Sequence, residues 1–212
     1  MRILRAVAGA PLSFVWLLVL LVTTRVQRSA GRRGSRRIQR RNSTNLRRLR
    51  SEPHRVLTTS LFWLDDHRWW PYVPVFVTVV APAERRLRWW RWLLVGICAH
   101  VISTYVGQSY LRLLIRKGRA PQRLENARDV GVSYFVLGVA GALSGYTRKQ
   151  WRPGAQAVAT LALAGNAAAR PTFTEVGHLT AFLVGLAAVP PTPDRDTKPY
   201  PPLPRHKFGG GG

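Results

Sequence analysis

The chain contains one cysteine, Cys98, and only nine acidic residues against 33 lysines and arginines. A single cysteine excludes an internal disulfide framework and any cysteine-based zinc site. The carboxylates are too scattered to build another kind of metal centre: Glu84 lies among arginines, and His100 has no carboxylate near it in the sequence. No metal and no cofactor is expected. Lysine is scarce as well, with 29 of the 33 basic residues being arginine, and together with abundant alanine this points to a GC-rich bacterial genome. No internal repeat is visible. Residues 25–50 hold eleven arginines and no aromatic or acidic residue, which predicts a solvated or lipid-surface loop with no core to fold around.

What is present is a series of apolar blocks at about 6–24, 69–83, 89–111, 130–146, 154–169 and 173–190, separated by arginine-rich connectors. The mean hydropathy of −0.07 hides them, because the charges sit between the blocks rather than in them. Long blocks suit lipid better than amphipathic stripes would. The expectation is an all-α, polytopic membrane helix bundle of about six transmembrane helices, in a bacterial plasma membrane. A net charge of +24 first suggests nucleic acid, since clustered arginine neutralises phosphates. Anionic lipid headgroups attract the same charges, and juxtamembrane basic segments account for them without a polynucleotide. Anionic lipid is therefore the expected partner of the arginine-rich segment, and nucleic acid is not expected.

The first block follows Arg2 and Arg5 and lacks a small-x-small cleavage site, so residues 1–24 are expected to be a retained transmembrane anchor rather than a signal peptide. The arginine-rich loop spans 25–51, a core domain 52–190, and a Pro-rich segment 191–212 is predicted to form a disordered tail. In the second block Pro71, Pro74 and Pro82 predict a kinked helix. Trp69, Trp70, Trp89, Trp90 and Trp92 are expected at headgroup level. Blocks four to six are rich in Gly and Ala, which allows helix backbones to approach closely and places these blocks at the bundle centre. Gly138, Gly141 and Gly145 mark one packing stripe, and Gly177, Ala181 and Gly185 mark another.

Two residues within these blocks could carry chemistry. Ser133 opens the fourth block in Gly131-Val132-Ser133, and His178 follows Gly177 in the sixth. Small residues follow the serine at Gly138, Gly141 and Ala142. This pattern resembles the rhomboid intramembrane serine proteases. Weaker similarity extends to the stretch from Glu52 to Phe62, which resembles that family's first-loop segment although His54 stands where Trp is usual, and to Ala81-Pro82-Ala83-Glu84-Arg85-Arg86-Leu87 after the second block. The resemblance implies a rhomboid-like core over 52–190, with Ser133 as nucleophile and His178 as base in a dyad without a carboxylate. It also implies a transmembrane protein as substrate or partner.

Support around the dyad is thinner. Family members resemble one another in a His and an Asn, four apart, that stabilise the oxyanion. Here His67 is followed by Pro71, and no Asn occurs between Asn45 and Asn126. The remaining oxyanion candidates are His67 and the backbone amides of Gly131 and Ser133. Tyr134 replaces the glycine usual after the serine. Each member of the pair also has a plain structural role open to it: Ser133 could bond a carbonyl one turn back, and His178 could bond a neighbouring helix. Asp129 reads as a helix cap more than as a third catalytic member. The balance of these features favours a catalytically silent or weakly active protein that binds transmembrane partners or lipid, with an intramembrane serine protease as the alternative. The resemblance implies a cytoplasmic N-terminus, whereas the distribution of Arg and Lys places the basic segment 25–55 in the cytoplasm.

Overall fold

The computed structural model describes residues 9–65 and 68–189. The first residues of the expected anchor, the Pro-rich segment 191–212 and His67 lie outside that range. The described chain is helical: α1 (Pro11–Ser29), α2 (Gly31–Asn42), α3 (Leu46–Ser51), α4 (Pro53–Thr59), α5 (Tyr72–Val75), a π-helical turn (Phe76–Val80), α6 (Ala81–Leu87), α7 (Trp89–Arg116), a 3-10 turn (Gln122–Asn126), α8 (Val132–Ser144), α9 (Arg152–Ala169) and α10 (Phe173–Ala187). Within the described residues, each of the six apolar blocks is mainly helical. Among the described residues, α1 is the one helix both long and apolar enough to cross a membrane by that measure alone, while α8 and α10 are shorter apolar helices.

Polarity is inverted in two of the long helices. α1 buries Ser13, Trp16, Leu20, Thr24 and Gln27 at intervals of three and four residues, and turns Val15, Leu18, Val22 and Val26 outward. α7 repeats this arrangement, burying His100, Ser103, Thr104 and Gln108 while exposing Leu94, Ile97, Ile102 and Val106. A helix in water would bury the opposite face. Lipid removes that preference, and polar groups can then bond inside, as Ser13 does to Glu84 and His100 to Ser60.

The kink expected from the prolines takes the form of the π turn. Pro82 has no N–H, and its ring would strike the carbonyl of Thr78, four residues back. Widening the helix over Phe76–Val80 relieves that clash. The helix continues as α6, which carries Glu84 into the interior, where the carboxylate meets the start of α1.

The centre is built from α7, α8 and α10. A methyl group on Gly185 would collide with the Gly138 carbonyl, and one on Gly141 would collide with the Phe182 carbonyl. The backbones of α8 and α10 therefore touch along the glycine stripes, with Ala181 fully buried between them. Gly145 serves differently, as the C-cap of α8. α9 departs from expectation. It has no buried residue, Val158 and Leu161 are about 70 % exposed, and Gly154 and Gly165 face open space, so it lies on the outside of the bundle. Its alanines and glycines lower its cost of packing but do not make it central.

The arginine-rich segment also differs from the loop expected. α2 is amphipathic, with Ser35 and Gln39 buried one turn apart and Arg32, Arg33, Arg36, Arg37, Arg40 and Arg41 exposed. Gln39 donates to the Asp65 carbonyl at 2.6 Å and accepts from Arg128. Next along the chain, Thr44 and Asp129 exchange backbone hydrogen bonds at 3.0 Å, and Leu46 and Leu49 are buried. Polar side chains and backbone pairing thus hold a segment that lacks aromatic residues.

Candidate active site

Ser133 is the second residue of α8, and Gly131 precedes that helix as its N-cap. His178 lies one turn into α10. Because the glycine stripes bring the two helices into backbone contact, these side chains reach each other: Ser133 Oγ and His178 Nε2 are 3.1 Å apart. The second ring nitrogen is occupied as well. His178 Nδ1 lies 3.3 Å from Glu175 Oε2, one turn earlier on α10. Asn166 of α9 donates to the same carboxylate oxygen. If Nδ1 carries the ring proton and donates it to Glu175, Nε2 is left as acceptor for the Ser133 hydroxyl.

Glu175 lies outside the sequence-derived candidates, although two signals in the sequence point to it. It stands three residues before His178, on the same helix face. It also closes a Thr-x-x-Glu capping pattern, in which Thr172 Oγ1 accepts the Glu175 amide at 3.3 Å.

The other predicted members fall in different places. The Gly131 amide donates to the Ser60 carbonyl at 3.0 Å and is not directed at the serine, so its expected oxyanion role is replaced by a structural one. A side chain at Gly131 would run into the His100 ring, which explains glycine there without recourse to catalysis. Ser133 lies in the first turn of α8, where amides have no carbonyl one turn back and the helix dipole is positive. Its own N–H is the remaining donor of the predicted set among the described residues.

Asp129 belongs to a different group of residues. Its carboxylate accepts from the Val130 amide at 3.1 Å and from the Tyr134 hydroxyl at 2.8 Å, whereas the Ser133 hydroxyl pairs with His178. The cap expected at the helix start is thus a link to Tyr134 instead. Burial pushes the Asp129 carboxyl up to about 7, against the hydrogen bonds that favour its charged form. Tyr134 is fully buried, and its ring meets His178 edge-on with centroids 5.5 Å apart. The bulky neighbour of the serine therefore turns inward and props the histidine ring. His100 sits apart, with Nε2 3.0 Å from the Leu57 carbonyl and 3.3 Å from Ser60 Oγ. No group of three or more His, Cys, Asp or Glu residues that could hold a metal occurs among the described residues.

Helices with inverted polarity and a serine–histidine contact between two glycine-lined helices define the class: an all-helical protein built for a membrane. The family model of the rhomboid-like proteins matches residues 5–198, and the chain belongs to that family. It is a rhomboid-like membrane protein. No curated protein and no solved structure matches the chain.

Proposed function

We propose that this protein is an intramembrane serine protease whose six helical blocks sit together in a bacterial plasma membrane, and that its substrates are transmembrane segments of other proteins. The observation that carries the reading is the 3.1 Å contact between Ser133 and His178. A serine hydroxyl is a weak nucleophile until a base takes its proton. In this reading His178 Nε2 accepts the Ser133 proton as Oγ attacks the scissile carbonyl, and then returns it to the leaving amine. The oxyanion forms beside the Ser133 amide at the positive end of α8. The short helices α8 and α10 span less than the full hydrocarbon thickness, which suits water entry or local thinning at the serine. Purified protein in detergent is expected to react with a fluorophosphonate probe, and both Ser133→Ala and His178→Ala are expected to abolish labelling. Unlabelled wild type, folded by thermal melt, would overturn the protease reading.

A second reading, a silent protein that binds transmembrane partners, draws on one observation. The Gly131 amide is committed to Ser60, which leaves little support for an oxyanion. In that case the cavity of about 530 Å³ among α1, α4 and α7, lined by residues such as Trp16, Leu57, Ile97 and Phe135, offers an apolar seat that neither Ser133 nor His178 lines. The labelling experiment separates the two.

A further inference from the structure

Away from the serine, three arginines and one glutamate line a cavity of about 150 Å³: Arg47 and Arg50 from α3, Arg112 from the last turns of α7, and Glu125 from the 3-10 turn, over a floor made by Leu46. Arg112 and Glu125 are half-buried, while Arg47 and Arg50 are exposed at the mouth. The ion pairs among the described residues involve none of the four, so three guanidinium groups face one carboxylate around the same space without neutralising one another. The space between them therefore carries a surplus of positive charge.

The surroundings indicate which anion. Arg112 continues a stripe on α7 through Ser109, Tyr105 and Ile102 at helical spacing, and all three of those residues are exposed. The apolar, outward-facing length of α7 thus leads directly to Arg112, placing the cavity where hydrocarbon gives way to headgroups. Each guanidinium presents a planar fork that matches phosphate oxygens, and three forks need more acceptor oxygens than a carboxylate supplies. Glu125 adds an acceptor that a phosphodiester, which carries no hydrogen, cannot use but a headgroup hydroxyl can.

From this juxtaposition we infer that Arg47, Arg50, Arg112 and Glu125 form a site for the phosphodiester of an anionic phospholipid whose headgroup carries a hydroxyl, with an acyl chain lying along Tyr105 and Ile102. The guanidinium groups take the phosphate and Glu125 accepts from the hydroxyl. The site is separate from Ser133 and from the arginine face of α2, and does not depend on whether the protein cuts anything.

The test uses the full chain in neutral detergent at low salt, titrated with phosphatidylglycerol and followed by thermal unfolding. Phosphatidylglycerol is expected to raise the melting temperature, whereas phosphatidylcholine and inorganic phosphate at the same concentration leave it unchanged. Arg112→Gln is expected to weaken the apparent affinity about tenfold, in line with loss of one charge-assisted pair. Arg47→Gln with Arg50→Gln, two exposed side chains on α3, should do the same. Arg33→Gln with Arg37→Gln removes as much charge from α2 and is expected to change affinity less than about twofold. Glu125→Gln should reduce the preference for phosphatidylglycerol over phosphatidic acid. Equal stabilisation by inorganic phosphate, equal loss in the α2 variant, or full affinity in both cavity variants would each overturn the assignment.

Discussion

The Glu84 carboxylate holds the first turn of α1 through Ser13. Glu84 Oε2 accepts from the Ser13 amide at 2.7 Å and from the Ser13 hydroxyl at 2.6 Å, while Oε1 accepts from the Leu12 amide at 3.1 Å. A buried carboxylate facing orphan amides at a helix start gains from both the hydrogen bonds and the dipole. Glu84→Ala removes all three acceptor contacts and leaves the donors buried. The expected loss is about 2–3 kcal/mol, read as a lower midpoint in denaturant or thermal unfolding in detergent. Glu84→Gln, which keeps an acceptor oxygen, should lose less.

Glu175 should matter to the rate at which Ser133 reacts, if the protease reading holds. Its hydrogen bond fixes which nitrogen of His178 faces the serine, and a glutamine can present its amide in either orientation. Glu175→Gln is expected to slow fluorophosphonate labelling by roughly tenfold or more while leaving the melting temperature near that of the wild type. An unchanged labelling rate would show that the serine and histidine act without the carboxylate.

The contact between α8 and α10 tolerates no added atoms where Gly138 meets Gly185. Gly185→Ala places a methyl group against the Gly138 carbonyl, and the helices must separate to admit it. A cost of about 1–3 kcal/mol is expected, from overpacking and lost contact. The same step that weakens the fold moves His178 away from Ser133, so a Ser133→Cys, His178→Cys crosslink in a Cys98-free background should form readily with Gly185 and poorly with alanine in its place.

Acidity should favour the fold through Asp129. Its carboxyl is raised from an ordinary 3.8 to about 7 by burial, so the folded state binds a proton that the unfolded state releases. The contribution is fully present below pH about 4 and is lost as pH rises through about 7. Melting temperature should therefore fall between pH 5 and pH 8, and Asp129→Asn, which still accepts from Tyr134, should flatten that dependence. A profile in Asp129→Asn as steep as that of the wild type would assign the effect to another group.

Much of this is legible in the sequence. Apolar blocks marked each long helix because length and hydropathy survive without tertiary context. Ser133 and His178 stood out by their glycine neighbours, and those same glycines set the helix spacing that brings them together. What could not be read depends on partners distant in sequence. The carboxylate of Glu84 meets a helix start 71 residues away, and Gly131 gives its amide to Ser60, so neither role has a local pattern. α2 is obscured for another reason: six arginines dominate its twelve residues, while the signal for order is the spacing of two uncharged residues, Ser35 and Gln39. Glu175 was readable from its spacing alone, but a dyad pattern directs attention away from a carboxylate.

Trp16 has a use of its own. Its ring lies 4.7 Å from Phe135, 5.0 Å from Phe76 and 6.1 Å from Trp92, and its indole N–H donates to the Leu61 carbonyl at 2.9 Å. Phe135 follows Ser133 by two residues on α8. An indole wedged against that ring carries its own optical label: any sideways displacement of α1 changes the polarity and the aromatic contacts around Trp16. In a variant with the other seven tryptophans replaced by phenylalanine, its emission would report, without an added dye, the packing of α1 against Phe76 and Phe135.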